Sequence, residues 1–96
     1  MGRAFVGLAE IELVVAGSTS LKDKRRVIRS CLERVRRIFG ISAAEVGDQN
    51  HRDRAVLALA CVSGEAATAR RIIDEAVRAV EANPELIIHD VSTNII

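Results

Sequence analysis

Glu10 and Glu12 stand two residues apart in Ala9-Glu10-Ile11-Glu12-Leu13. That spacing places both carboxyl groups on one face of a strand, where paired acids could carry general acid–base chemistry. The same alternation is far more common on a solvated face or at the rim of an interface, and no nucleophile or base accompanies the pair. His51 and His89 belong to no metal-ligand spacing, and neither Cys-x-x-Cys nor His-x-x-x-His occurs. Cys31 and Cys61 sit alone in apolar-periodic segments, as small buried thiols of a reducing compartment do. No glycine-rich phosphate loop of the Walker or dinucleotide type is present. These residues make no catalytic constellation, so the chain reads as non-enzymatic, with no metal and no cofactor.

Basic residues offer a different chemistry. Between Leu21 and Phe39 lie Lys22, Lys24, Arg25, Arg26, Arg29, Arg34, Arg36 and Arg37 against Asp23 and Glu33. Eight bases against two acids give this segment a formal +6. Residues 65–96 hold three bases against six acids, a formal −3, so the molecule is electrically lopsided despite a net charge of +1. At about 100° per residue, Lys22, Arg25, Arg26, Arg29, Arg36 and Arg37 cluster on one side of a helix. Such a stripe suits a phosphate backbone, because cationic side chains displace condensed counterions and arginine binds phosphate bidentately. Lys22, Lys24, Arg25, Arg26, Arg29, Arg36 and Arg37 are therefore candidate nucleic-acid contacts. Gln49, His51, Arg52 and Arg54 form a second candidate site, crowding donors and acceptors into a polar loop longer than a hairpin needs.

The elements that position these groups follow from periodicity. Phe5, Ala9, Ile11, Leu13 and Val15 recur at period two, a long strand over 4–15. Ser20 suits a helix cap, and Leu21, Val27, Ile28, Cys31, Leu32, Val35, Ile38 and Phe39 form the apolar stripe of an amphipathic helix ending at Gly40. A short strand over 41–46 and an all-apolar strand over 55–62 follow. Ser63 is expected to cap a second helix, with Glu65 in its first turn and Asn83-Pro84 at its end. A last strand runs from Leu86 to about Thr93. The order strand, helix, strand, strand, helix, strand predicts an α+β, ferredoxin-like βαββαβ domain over 1–96. It has a four-stranded antiparallel sheet with two helices on one face. Acylphosphatases share that fold, but they need an arginine in a glycine-rich loop after the first strand. Here that connection reads Ala16-Gly17-Ser18-Thr19-Ser20-Leu21.

Two helices leave the other sheet face uncovered. Val6, Leu8, Val14, Val56, Ala58, Ala60 and Val62 fall on it, interrupted by Glu10 and Glu12. An apolar face of that kind marks an interface, so a homo-oligomer, a dimer by default, is expected through it. Aromatics are only 2% of the 96 residues, two Phe with neither Trp nor Tyr. This fold reads RNA by aromatic stacking on its central strands, and those strands are otherwise aliphatic. Any nucleic-acid contact must then be electrostatic and shape-based. Glu10 and Glu12 break the N-terminal apolar run before it reaches signal-peptide length, and no stretch approaches the ~18 apolar residues of a membrane span. A cytoplasmic location with no membrane contact is expected.

Ser20-Leu21-Lys22-Asp23-Lys24-Arg25-Arg26 resembles the helix opening of the small bacterial YlxP-like proteins, a family of unknown function. Ala43-Ala44-Glu45-Val46 and Arg54-Ala55 match the family pattern as well. The resemblance implies a ferredoxin-like fold and a cytoplasmic bacterial protein. Genes of similar proteins often lie among those for transcription termination, translation initiation and ribosome maturation. Similar proteins usually carry Gln-Asp-x-Trp-x-Arg-Ala across the loop, where this chain reads Gln49-Asn50-His51-Arg52-Asp53-Arg54-Ala55, with Arg52 in place of the Trp. Residue chemistry and resemblance together suggest a binding module that contacts RNA or a ribosomal particle through the basic helix. The alternative is an oligomeric scaffold or small-ligand sensor that associates through its apolar sheet face.

Overall fold

The computed structural model describes residues 2–96. Strand β1 spans Phe5–Val15, helix α1 Leu21–Phe39, β2 Ser42–Gly47, β3 Arg54–Ser63, α2 Ala66–Glu81 and β4 Leu86–Ile95. The strands form one antiparallel sheet in the order β2-β3-β1-β4, with β1 and β3 central, and the architecture is α+β and ferredoxin-like. Ala9, Ile11, Leu13 and Val15 of β1 and Ala55, Leu57, Leu59 and Cys61 of β3 are buried beneath the helices. Val27, Ile28, Cys31, Leu32 and Val35 of α1 meet them, as do Ala69, Ile73, Ala76, Val77 and Val80 of α2. Ile38, in the last turn of the helix, falls outside the core at 53% exposure.

Ser20 caps α1, its hydroxyl accepting the Asp23 N–H at 3.1 Å. Gly40 closes the helix with φ 62°, a left-handed conformation open to glycine at no steric penalty, and donates its N–H to Arg36 O. Ser63 does not cap α2. Pairing between β1 and β3 continues to Phe5↔Ser63, which keeps Ser63 in the sheet, and its hydroxyl accepts the Glu65 N–H instead. Glu65 takes the cap position without a side-chain bond, so no acidic residue lies in the first turn. Strand β2 begins one residue later than the periodicity predicts, and β4 runs two residues further. Gly7 marks where α2 presses closest on β1. A Cβ there would lie 2.7 Å from Ile73 Cγ1 and 2.9 Å from the Ala69 carbonyl oxygen.

Candidate nucleic-acid interface

The stripe on α1 divides into three groups in space. Lys22, Arg25, Arg26, Arg29 and Arg37 are exposed, and the first four border a shallow open groove with Asp23, Ser30 and Glu33. Among the described residues the ion pairs are Lys24–Glu45 and Arg71–Glu75, beside a His51–Asp53 contact, so none of these five bases has a carboxylate within 4.0 Å. Their charge faces water over a length of about 22 Å, at about 1.5 Å rise per residue from 22 to 37.

Lys24 is removed from the set. It is 0% exposed, so no phosphate can reach it. Its three Nζ–H groups face four oxygens, Glu45 Oε2 at 2.9 Å and the main-chain oxygens of Asp48 (2.7 Å), Arg54 (2.9 Å) and Gln49 (3.2 Å), the last and longest sharing a proton with a neighbour. A compact ammonium with acceptors on several sides is a fixed cross-link between helix and hairpin. The wheel itself holds the signal, since position 24 lies three and four residues before the buried Val27 and Ile28. Glu45 was not singled out by sequence, although it shares the inward side of β2 with buried Ala43.

Arg36 is exposed yet tethered. Its Nε donates to Ala43 O at 3.1 Å, and its Nη2 reaches the same oxygen. The guanidinium is thereby committed to the outer strand of the sheet. With Lys24 internal, seven exposed bases oppose two acids on α1, a formal +5.

The β2–β3 loop is held against the N-terminal end of α1. Lys24 binds both of its sides, and Ser18 Oγ donates to Arg52 O at 2.7 Å. Asp48 adopts φ 56°, unusual for a residue with a Cβ, and this turns its carbonyl to Lys24. His51 Nδ1 lies 2.9 Å from Asp53 Oδ1, while the Asp53 and Arg54 amides are further, at 3.4 and 3.3 Å. Gln49 Nε2 donates to Glu45 O at 3.2 Å. The four loop candidates do not converge on one site. Arg52 sits beside the α1 terminus, whereas Arg54 lines a concavity with Glu12, Asp48 and His89 across the sheet.

The face away from the helices carries the anticipated residues. Val6, Leu8, Val14, Val56, Ala58 and Ala60 are half-buried, and Val62 is 71% exposed. Ile87, opposite Val14, and Ile96, bonded to Val6, extend its two ends. An acidic belt crosses the middle, with Glu10, Glu12 and Asp90 all exposed and Glu12 directly opposite Asp90. Phe5 is half-buried with the Arg3 guanidinium 5.3 Å from its ring centre. No cluster of three His, Cys, Asp or Glu capable of holding a metal occurs among the described residues. Both cysteines are free and buried, and burial pushes the Cys31 thiol above its ordinary value against the opposing pull of Arg34. Among the described residues, no helix is long and apolar enough to cross a membrane.

A family model described as "Protein of unknown function (DUF503)" matches residues 6–93. The chain is also similar to "Uncharacterized protein YlxP" of Bacillus subtilis (strain 168). The two are 30% identical over 81 residues, covering 84% of this chain and 88% of that protein.

Proposed function

Since the chain belongs to the DUF503 family of proteins of unknown function, and since its basic helix faces water, we propose that it is a non-enzymatic module that docks on structured RNA or a ribosomal particle through α1. One observation carries this reading. Lys22, Arg25, Arg26, Arg29 and Arg37 are exposed, and none is spent on an internal ion pair. Five cations along one helix are a backbone reader. They neutralise phosphates and release counterions without reading bases, in keeping with a protein that has no Trp or Tyr and whose Phe5 is half-buried.

The test is filter binding to ribosomal RNA fragments at several salt concentrations. Five phosphate contacts predict a log–log slope of about −4, and losing two contacts makes it shallower by roughly 1.5. Arg25→Ala with Arg29→Ala should therefore weaken binding and flatten the slope together. Absence of affinity at low salt, or affinity indifferent to the double substitution, refutes the proposal. Association through the open sheet face has less behind it. A face-to-face twofold centred on that sheet brings Glu10, Glu12 and Asp90 against their own counterparts, and like charges so placed repel.

A further inference from the structure

The two edges of the sheet are built differently. Strand β2 is six residues long, changes register between Glu45 and Gly47, and has its Ala43 carbonyl occupied by Arg36. A short, irregular edge with a side chain on its backbone is poorly suited to accept another strand. Strand β4 is ten residues long, and Asp90 is its only acidic or basic side chain apart from the imidazole of His89. It contains no proline, lysine or arginine. Among the described residues no side chain bonds to its main chain. Its register shift lies opposite Glu12 and Leu13, which leaves 90–96 as a regular stretch.

The direction of its free hydrogen-bonding groups follows from the pairing. Val6 and Ile96 exchange both main-chain bonds, at 2.9 and 2.8 Å. Antiparallel pairs alternate, so Asn94, Ser92 and Asp90, opposite Leu8, Glu10 and Glu12, also turn their main-chain groups toward β1. Val91, Thr93 and Ile95 turn theirs outward. These three also lie on the helix side of the sheet, where each is only half-buried. Of the five partly buried hydrophobic residues at the margin of the core, Ile72, Ile88, Val91 and Ile95 lie on β4 or on α2, which packs over it. Unfilled hydrogen bonds and an under-covered core margin thus coincide on one strand.

We infer that β4 is a self-pairing edge, on which a second copy of the chain adds its own β4 antiparallel about a twofold axis at Thr93, joining two sheets into one of eight strands. In this register Val91 faces the partner's Ile95, Thr93 faces the partner's Thr93, and each such pair exchanges two main-chain bonds. The aliphatic side chains meet on the helix side and complete the core margin. Each Asp90 falls opposite the partner's Ile96, so the two carboxylates stand about 20 Å apart at about 3.3 Å per residue. A register centred on Asp90 would oppose them directly. A second copy fits because the edge supplies the same complementary pattern that it needs, an isologous contact.

Thr93→Pro is the diagnostic substitution. Its N–H points away from β1, and proline is tolerated at such an edge position, so the monomer keeps its own hydrogen bonds. Thr93→Lys, which sets two ammonium groups at the axis, is the second variant. Far-UV circular dichroism confirms that both fold. Light scattering of the RNA-free protein at about 100 µM should give about twice 10.4 kDa for the wild type and 10.4 kDa for both variants, with Val62→Lys on the open face unchanged from wild type. Amide exchange should show Val91, Thr93 and Ile95 protected in the wild type and unprotected at Val91 and Ile95 in Thr93→Pro. A wild-type mass of 10.4 kDa overturns the inference, including the case in which the edge accepts a strand from another protein. So does a dimer that survives both Thr93 variants, or one that Val62→Lys disperses.

Discussion

Replacing Lys24 by methionine tests whether the hairpin is held by one buried ammonium. Methionine preserves most of the side chain's length and apolar volume and removes the donor alone. Four acceptors lose their partner: Glu45 Oε2 and the main-chain oxygens of Asp48, Gln49 and Arg54. Breaking a buried ion pair from one side is destabilising by roughly 3–5 kcal/mol, because the remaining charge and carbonyls have lost their solvation. Glu45 keeps 16% of its side-chain surface in water and the loop can open toward solvent, so the lower end, about 3 kcal/mol, is expected. For a chain of this size that lowers Tm by roughly 12–24 °C. Urea unfolding followed by circular dichroism is the assay, since a protein without Trp or Tyr gives little intrinsic fluorescence. Amide exchange adds location: faster exchange in Lys24→Met should spread through 48–54 before it reaches β1. Lys24→Arg should not rescue, because a planar fork larger than an ammonium cannot direct donors to four acceptors in a site with no exposure. A Lys24→Met protein within about 1 kcal/mol of wild type, or one whose loop exchanges no faster, would falsify this account.

Other consequences are more local. Lys24→Met, where it remains folded, should leave the salt slope of RNA binding unchanged, whereas Arg25→Ala should make it shallower by about 0.7–0.9. Gly7→Ala should destabilise by about 1–3 kcal/mol by urea titration, because the new methyl meets the Ala69 carbonyl oxygen at 2.9 Å and that backbone cannot swing aside. Ser20→Ala removes the acceptor of the Asp23 N–H and should lower stability by about 1 kcal/mol, read as a Tm lower by roughly 4–8 °C. Cys31, with its thiol raised by burial, should resist iodoacetamide at pH 8 in the native protein and react promptly in urea. The raised folded value also means that its contribution to stability is present below the ordinary 9.0 and lost as pH rises beyond it, measurable as a falling urea midpoint above pH 9.

The fold was legible because each element states its own period. Glu10 and Glu12 alternate with Ala9, Ile11 and Leu13 along a strand with one covered face, and α1 keeps its apolar residues within one stripe. Local propensity misled where tertiary pairing decides. Ser63 has the chemistry of a cap, but its pairing with Phe5 holds it in the sheet. Lys24 misled more consequentially. Lysine ordinarily sends its ammonium to water, so type argued for solvent while position, in line with Val27, Ile28 and Cys31, argued for the interior. Position decided, because a carboxylate and three carbonyls met the ammonium there. That last condition depends on residues 21–30 positions away in the chain, which no local pattern contains.

The arrangement around Lys24 also bears on why so much positive charge can sit on one helix. Lys22–Arg26 and Arg25–Arg29 are like-charged pairs at i, i+4, each unfavourable by roughly 0.2–0.5 kcal/mol, and Lys22 lies near the helix end that disfavours cations. Propensity and capping alone leave such a helix marginal in water. Its stability must come from the buried face and from the cross-links that bind it to the sheet. Lys24 to Glu45 and the hairpin holds the first turn, and Arg36 to Ala43 holds the last. The two tethered bases secure α1 at both ends, and the exposed ones between and beside them stay unpaired at a standing electrostatic penalty. A polyanion laid along α1 would relieve that penalty, and an internal carboxylate partner for each arginine would have removed it without leaving a charged face.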